Sequence, residues 1–287
     1  MALFPDIRKA KALFGNAAEI YGSIINEIEP FLARDSYKFD PLDLFGQRPV
    51  GDMNRIYWIE MLQRAHMGSV AAIARTSRWV DVAVREYDAK NLFGWSSAAR
   101  SIIEAAGDAG EGLGGVPRTL ADNKAMILEC LSGSSTVLHT SAELENLLIH
   151  FSHARRILKS EVAPESHRAK TSAAYVDFVT RMNVGDVRSL YSDLCEIVHP
   201  ASASVALFFT GTENTLSVNF DRETDFLERN VAASRDTLGG CLMAAYNPAL
   251  LTLRVLHSFD HFTKITPLKK VNFSAIPAWP PIEKLLR

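Results

Sequence analysis

The chain lacks the features that would assign it quickly to a class. It has three cysteines, Cys130, Cys195 and Cys241, far apart and in no C-x-x-C spacing. That excludes a disulfide framework and a structural zinc knuckle. The odd count, with no hydrophobic stretch of signal-peptide length over residues 1–11, points to a reducing, cytoplasmic setting. No charge of one sign dominates: 31 basic and 33 acidic residues give a formal net charge of −2. A dedicated non-specific nucleic-acid binder needs a basic field, which is missing globally. Three short basic runs, Arg8–Lys11, Arg155–Lys159 and Lys264–Lys270, read as solvated faces. The longest uncharged stretch, Thr237–Leu253, contains Gly239, Gly240, Asn247 and Pro248. It reads as a buried helix with a break, so no membrane partner is expected.

What is present is helical period. With 47% hydrophobic and 22% charged residues over 287 positions, the chain can bury a sizeable core. Residues 5–32 read as a first helix and 33–53 as a loop. In 54–86 an apolar stripe recurs at helical spacing: Ile56, Ile59, Leu62, Val70, Ile73, Val80 and Val84. Helices follow over about 92–106, 119–131, 141–160, 168–182, 186–199 and 222–262. The stripe of the helix over 141–160 includes Leu144, Leu147, Leu148, Phe151 and Leu158. The helix over 186–199 should stop at His199, because Pro200 disfavours helical geometry in the residue before it. Val205–Phe209 and Leu216–Phe220 are short β-branched and aromatic runs with Gly211–Thr212–Glu213–Asn214 between them. They predict a hairpin that must pack on the helices, since an isolated one is marginal in water. The fold class is therefore mainly α, a helical bundle with one small β-hairpin over about 204–220. The division follows as an N-terminal helix and loop over 1–50, a helical domain with the hairpin over 51–265, and an extended Pro-containing tail over 266–287.

Several motifs touch on chemistry. Gly110–Glu111–Gly112–Leu113–Gly114–Gly115 spells G-x-G-x-x-G, but a dinucleotide site needs a strand before it and a helix after it. With no parallel sheet, residues 107–118 read as an interhelical loop and no cofactor is implied. Glu196 and His199 stand one turn apart, as in di-iron bundles. No second Glu-x-x-His occurs, so no metal site is assigned. His257 and His261 stand four apart on the last long helix, and a surface or interface pair is the simpler reading than a shared metal. His66 falls at the centre of the apolar stripe of its helix, where a buried imidazole needs hydrogen-bond partners; it is read as a core histidine and kept as a candidate binding residue. Arg100 and Glu104 form an i, i+4 pair on a helix otherwise built of Trp, Ala, Ser and Ile. A half-buried Arg needs a partner, and an interhelical salt bridge is the structural expectation.

Two motifs together carry a resemblance. Arg100–Ser101–Ile102–Ile103–Glu104, followed much later by Tyr191–Ser192–Asp193–Leu194–Cys195–Glu196–Ile197–Val198–His199–Pro200, resembles uncharacterised bacterial proteins of the HEPN-like helical class. Many HEPN domains are RNA-cleaving toxins or nucleotide- and nucleic-acid-associated modules, often dimeric. Their active version places Arg and His four to six residues apart on one helix. Here Arg188 precedes His199 by eleven positions, about 16 Å of helix rise, too far to share one phosphate within a single chain. Arg188, Ser192 and His199 still line one face. Three readings follow. The first is a binding module for a protein or nucleic acid, in a bacterial defence or stress system, using Tyr191, Arg188, Glu196 and His66. The second is a ribonuclease with a non-standard site of Arg100, Glu104 and His199. The third is a metal-dependent helical-bundle enzyme centred on Glu196 and His199. The resemblance also implies a homodimer.

Overall fold

The computed structural model describes residues 2–212 and 214–287. The architecture is mainly α. Its helices are Ile7–Phe14 (α1), Asn16–Leu32 (α2), Val50–Asp88 (α3), Leu92–Leu113 (α4), Val116–Asp122 (α5), Lys124–Ser132 (α6), Ala142–His153 (α7), Ser172–Arg181 (α8), Val187–Val198 (α9), Ser202–Ala206 (α10), Asp221–Leu256 (α11) and Trp279–Leu286 (α12). Phe209–Thr212 (β1) and Thr215–Val218 (β2) form one antiparallel pair. Glu213 of the expected turn lies outside the described residues.

The chain groups into two compact units, each assembled from three stretches rather than one run of sequence. The first comprises Met1–Asn26, Ile73–Asp108 and Thr171–Tyr246. Phe14, Ile25, Val80, Trp95, Ile102, Val179, Leu194 and Leu238 are buried in it. The buried Tyr246 hydroxyl is matched by Ser77 Oγ at 3.1 Å, as a buried phenol requires. The expected single helix over 5–32 is broken at Gly15, whose φ of +61° suits a residue without Cβ. Asp6 caps α1 by accepting from the backbone N–H of Arg8 and Lys9.

The second unit comprises Glu27–Ala72, Ala109–Lys170 and Asn247–Arg287. Here α3 is pinned to the loop before α7 by side chains one turn apart. Buried Asn54 donates to the Val137 carbonyl at 2.7 Å and accepts from the His139 N–H at 2.8 Å. Trp58 Nε1 donates to the His139 carbonyl at 3.1 Å. The Tyr57 hydroxyl accepts from the Ser141 N–H at 2.9 Å. These bonds satisfy backbone groups that the loop itself leaves open.

Five expectations are corrected. Residues 107–113 are not a loop but the end of α4. Glycine costs roughly 1 kcal/mol in a helix interior, and packing offsets it: a Cβ on Gly107 would stand 2.5 Å from the Tyr175 carbonyl oxygen, and one on Gly112 would stand 2.7 Å from the Phe151 ring. The first strand is Phe209–Thr212, four residues later than expected; Ser202–Ala206 turns helical, with Ser204 Oγ accepting from the Ala201 N–H at 3.2 Å. The tail is not extended. Its Pro280 and Pro281 occupy the first turn of α12, where a missing N–H costs nothing, and α12 packs on α5. Helix α7 ends at His153, so Leu158 leaves the stripe and is exposed. Helix α11 runs unbroken through Pro248 and ends at Leu256, so His257 and His261 do not share a helix.

Candidate functional site

Helix α4 carries Arg100 and Glu104 one turn apart, and α9 brings Tyr191 between them. The Tyr191 hydroxyl donates to Glu104 Oε1 at 2.5 Å and accepts from Arg100 Nη2 at 3.2 Å. The guanidinium carbon stands 5.2 Å from the centre of the Tyr191 ring, within cation–π range. All three side chains are half-buried. Burial, then the bond to Glu104, raises the Tyr191 pKa. Burial works against the Arg100 charge, but the bond to Tyr191 and the surrounding negative groups outweigh it and raise its pKa. At neutral pH the phenol is therefore protonated and the guanidinium charged. The expected salt bridge is replaced by a phenol that links the two charges.

The rest of the α9 face stays open. Arg188 pairs with Asp177 of α8. Ser192, Glu196 and His199 are exposed. His199 caps the helix in extended geometry, φ −88° and ψ 155°, as Pro200 requires. Eight positions separate Tyr191 from His199, about 12 Å of rise. Among the described residues no hydrogen bond, ion pair or ring contact links His199 to Arg100, Glu104 or Tyr191. Nor does any group of three or more His, Cys, Asp or Glu among them suit a metal ion. No helix is long and apolar enough to cross a membrane.

Beyond α9 the hairpin presents a feature that the sequence reading missed. Phe209 pairs with Val218 and Gly211 with Leu216, while Thr210 pairs with Ser217 and Thr212 with Thr215. Paired residues share a face, so one face is Phe209, Gly211, Leu216 and Val218, and the other is Thr and Ser. Phe220 continues the alternation. Most of the apolar side is exposed: Leu216 is 68% exposed, Val218 60% and Phe220 71%, while Phe209 is half-buried. The hairpin is held at its base. Phe208 stacks on Phe93 of α4, ring centres 6.0 Å apart, and meets Phe220 edge-on. Arg222 Nη1 donates to the Ala206 carbonyl at 3.2 Å. The alternation Leu216–Ser217–Val218–Asn219–Phe220 marks an apolar face in the sequence but not that it stays open. The surrounding sequence is acidic: residues 189–227 hold Asp193, Glu196, Glu213, Asp221, Glu223 and Asp225 against Arg222 alone.

His66 belongs to the second unit and is 1% exposed. Its Nδ1 bonds the Tyr37 hydroxyl at 2.8 Å, and its ring stacks on Phe262 at 4.4 Å. Nε2 lies 3.7 Å from Asp35 Oδ2, and Asp35 in turn accepts from the Thr263 N–H at 3.0 Å. Burial outweighs the pull of Asp35 and pushes the His66 pKa down to about 4. Burial likewise pushes Tyr37 up to about 12. Asp35 and Tyr37 left no sequence signal, because they sit in a loop far from His66 in the chain. Compared with models of known families, with curated proteins and with solved structures, the chain finds no match.

Proposed function

We propose that the chain is a helical binding module that engages a protein partner through the apolar face of its β1–β2 hairpin. The observation that carries this reading is the exposure of Leu216, Val218 and Phe220 on one side of a two-stranded sheet. A hairpin alone is marginal in water, and exposed apolar groups that line one face mark interaction surfaces. Covering each such side chain is worth about 1.5–3 kcal/mol, and both strands offer unpaired edges to an extended segment. The acidic surroundings select the partner's charge. Phosphate backbones would be repelled, and a second copy of the chain would bring like charges together. The partner fits as an extended apolar segment with basic residues. A setting in a defence or stress system rests on the HEPN-like resemblance alone.

The reading as a ribonuclease needs Arg100, Glu104 and His199 around one reacting phosphate. Arg100 and Glu104 are engaged with Tyr191, and His199 stands at the far end of α9, so the geometry favours the binding module. The metal-dependent reading has only the exposed pair Glu196 and His199 to offer.

The test is a fluorescence anisotropy titration of the full chain with two labelled decapeptides, one alternating Val and Lys, the other alternating Val and Glu. The Val/Lys peptide should bind saturably, and Leu216→Ser or Phe220→Ser should weaken it at least tenfold. Equal binding of both peptides, or no effect of either substitution, overturns the reading.

A further inference from the structure

The second unit contains a cleft of about 390 Å³ whose wall includes Arg254, His257, Lys269, Trp279 and Glu283. The last turn of α11 supplies Arg254, and the residue after the helix is His257. The 3-10 turn Thr266–Lys269 supplies Lys269, and α12 supplies Trp279 and Glu283. A volume of this size is in the range of small-molecule sites.

The charges around it do not cancel. Glu283 is engaged by Arg287 at 3.4 Å. In the basic run Lys264–Lys270, Lys264 is spoken for by Asp260. Lys269 has no hydrogen bond or ion pair among the described residues. Arg254 stands over the Trp279 ring, guanidinium carbon 5.8 Å from its centre, with no acceptor for its N–H groups among the described residues. Two cations unpaired among the described residues thus line one concave space, beside Arg287, which is paired with Glu283. Together the two exceed the roughly half negative charge that the end of α11 contributes.

His257 adds a neutral ring to the wall, and its tautomer is fixed. The Ile265 backbone N–H donates to His257 Nε2 at 3.1 Å. A backbone N–H can only donate, so Nε2 is the acceptor and the ring's own N–H is on Nδ1. That Nδ1 is buried and has no hydrogen-bond partner. Burial, followed by the nearby Arg254 and Lys269 charges, pushes the His257 pKa down to about 4, so the ring is uncharged at neutral pH. Because Nδ1 is closed to solvent, the ring forms part of the wall and leaves the charged contacts to Arg254 and Lys269.

We infer that this cleft binds a small phosphate monoester, with Arg254 and Lys269 matching its two negative charges. Arg and Lys are the side chains suited to phosphate, the first by its fork of donors and the second as a point charge. Two cations match the double charge of a phosphate monoester better than the single charge of a carboxylate. The cleft is larger than a bare phosphate, so an organic group fits beside it against the edge of Trp279. The inference concerns the second unit and does not depend on the hairpin.

The test is calorimetric titration of the full chain with glycerol 3-phosphate, with acetate at the same ionic strength as the carboxylate comparison. The nitrogen shifts of His257 are followed in parallel by NMR. Saturable binding of glycerol 3-phosphate, with displaced His257 ring signals and no binding of acetate, is expected. Lys269→Ala and Arg254→Gln should each weaken it at least tenfold, whereas Lys264→Ala should leave it unchanged. Lys269 is exposed, so its variant decides the matter even if Arg254→Gln does not fold. No saturable binding, equal binding of acetate, or full affinity in Lys269→Ala overturns the inference.

Discussion

The hydroxyl of Tyr191 on α9 donates to Glu104 on α4 at 2.5 Å, and the same oxygen accepts from Arg100. One phenol thus joins two helices and two opposite charges. Tyr191→Phe removes the shared oxygen and leaves a half-buried carboxylate without this donor. A loss of about 1–3 kcal/mol in unfolding free energy is expected, measured by urea denaturation with unchanged slope. An unchanged midpoint would show that Arg100 and Glu104 re-pair at no cost.

Stability should fall with acid through His66. Its pKa is pushed from 6.5 to about 4 in the folded chain. The unfolded state therefore binds the extra proton between those values. The contribution is fully present above pH 6.5 and is lost as pH falls towards 4, by about 3 kcal/mol. His257 shifts in the same direction. Urea midpoints across this range, with His66→Gln as the variant that flattens the slope, check the sign. An NMR titration of His66 with a midpoint near 6.5 would contradict it.

Gly107→Ala should destabilise although alanine is the better helix former by about 1 kcal/mol. The added Cβ would meet the Tyr175 carbonyl oxygen at 2.5 Å, and α4 and α8 would have to part. A loss above about 2 kcal/mol is expected. Gly115→Ala, between α4 and α5, adds the same methyl group in open space and should change stability by less than Gly107→Ala does, by about 1 kcal/mol or less. Thermal denaturation of the two variants side by side separates the steric clash from the mere addition of a methyl group.

Asn54→Ala should cost about 2–3 kcal/mol, because it leaves the Val137 carbonyl and the His139 N–H without their side-chain partner. Hydrogen exchange should then quicken at His139 in particular. Unchanged exchange there would show that the loop before α7 holds itself.

Much of this fold was legible because its cues are local. The stripe from Ile56 to Val84 and the stop at His199–Pro200 depend on period and on proline geometry. Arg100 and Glu104 stood out as charges on an otherwise apolar helix. What escaped depends on contacts distant in sequence. Gly107 and Gly112 look like loop residues until Tyr175 and Phe151 are seen against them. Pro280 and Pro281 look extended until they are placed in the first turn of α12. Asp35 and Tyr37 carry no period that would send them to His66. The hairpin was foreseen as packed; nothing in Leu216, Val218 or Phe220 tells a buried alternating face from one left open.

The most direct test of the hairpin as a docking face is hydrogen exchange of the 209–218 amides in the full chain, with and without the Val/Lys peptide. Without peptide, these amides should exchange rapidly, as in a hairpin held only at its base. With peptide at saturation, they should be protected at least tenfold while the α9 amides are unchanged. Bound peptide with no protection over 209–218, or protection confined to α9, would contradict the account.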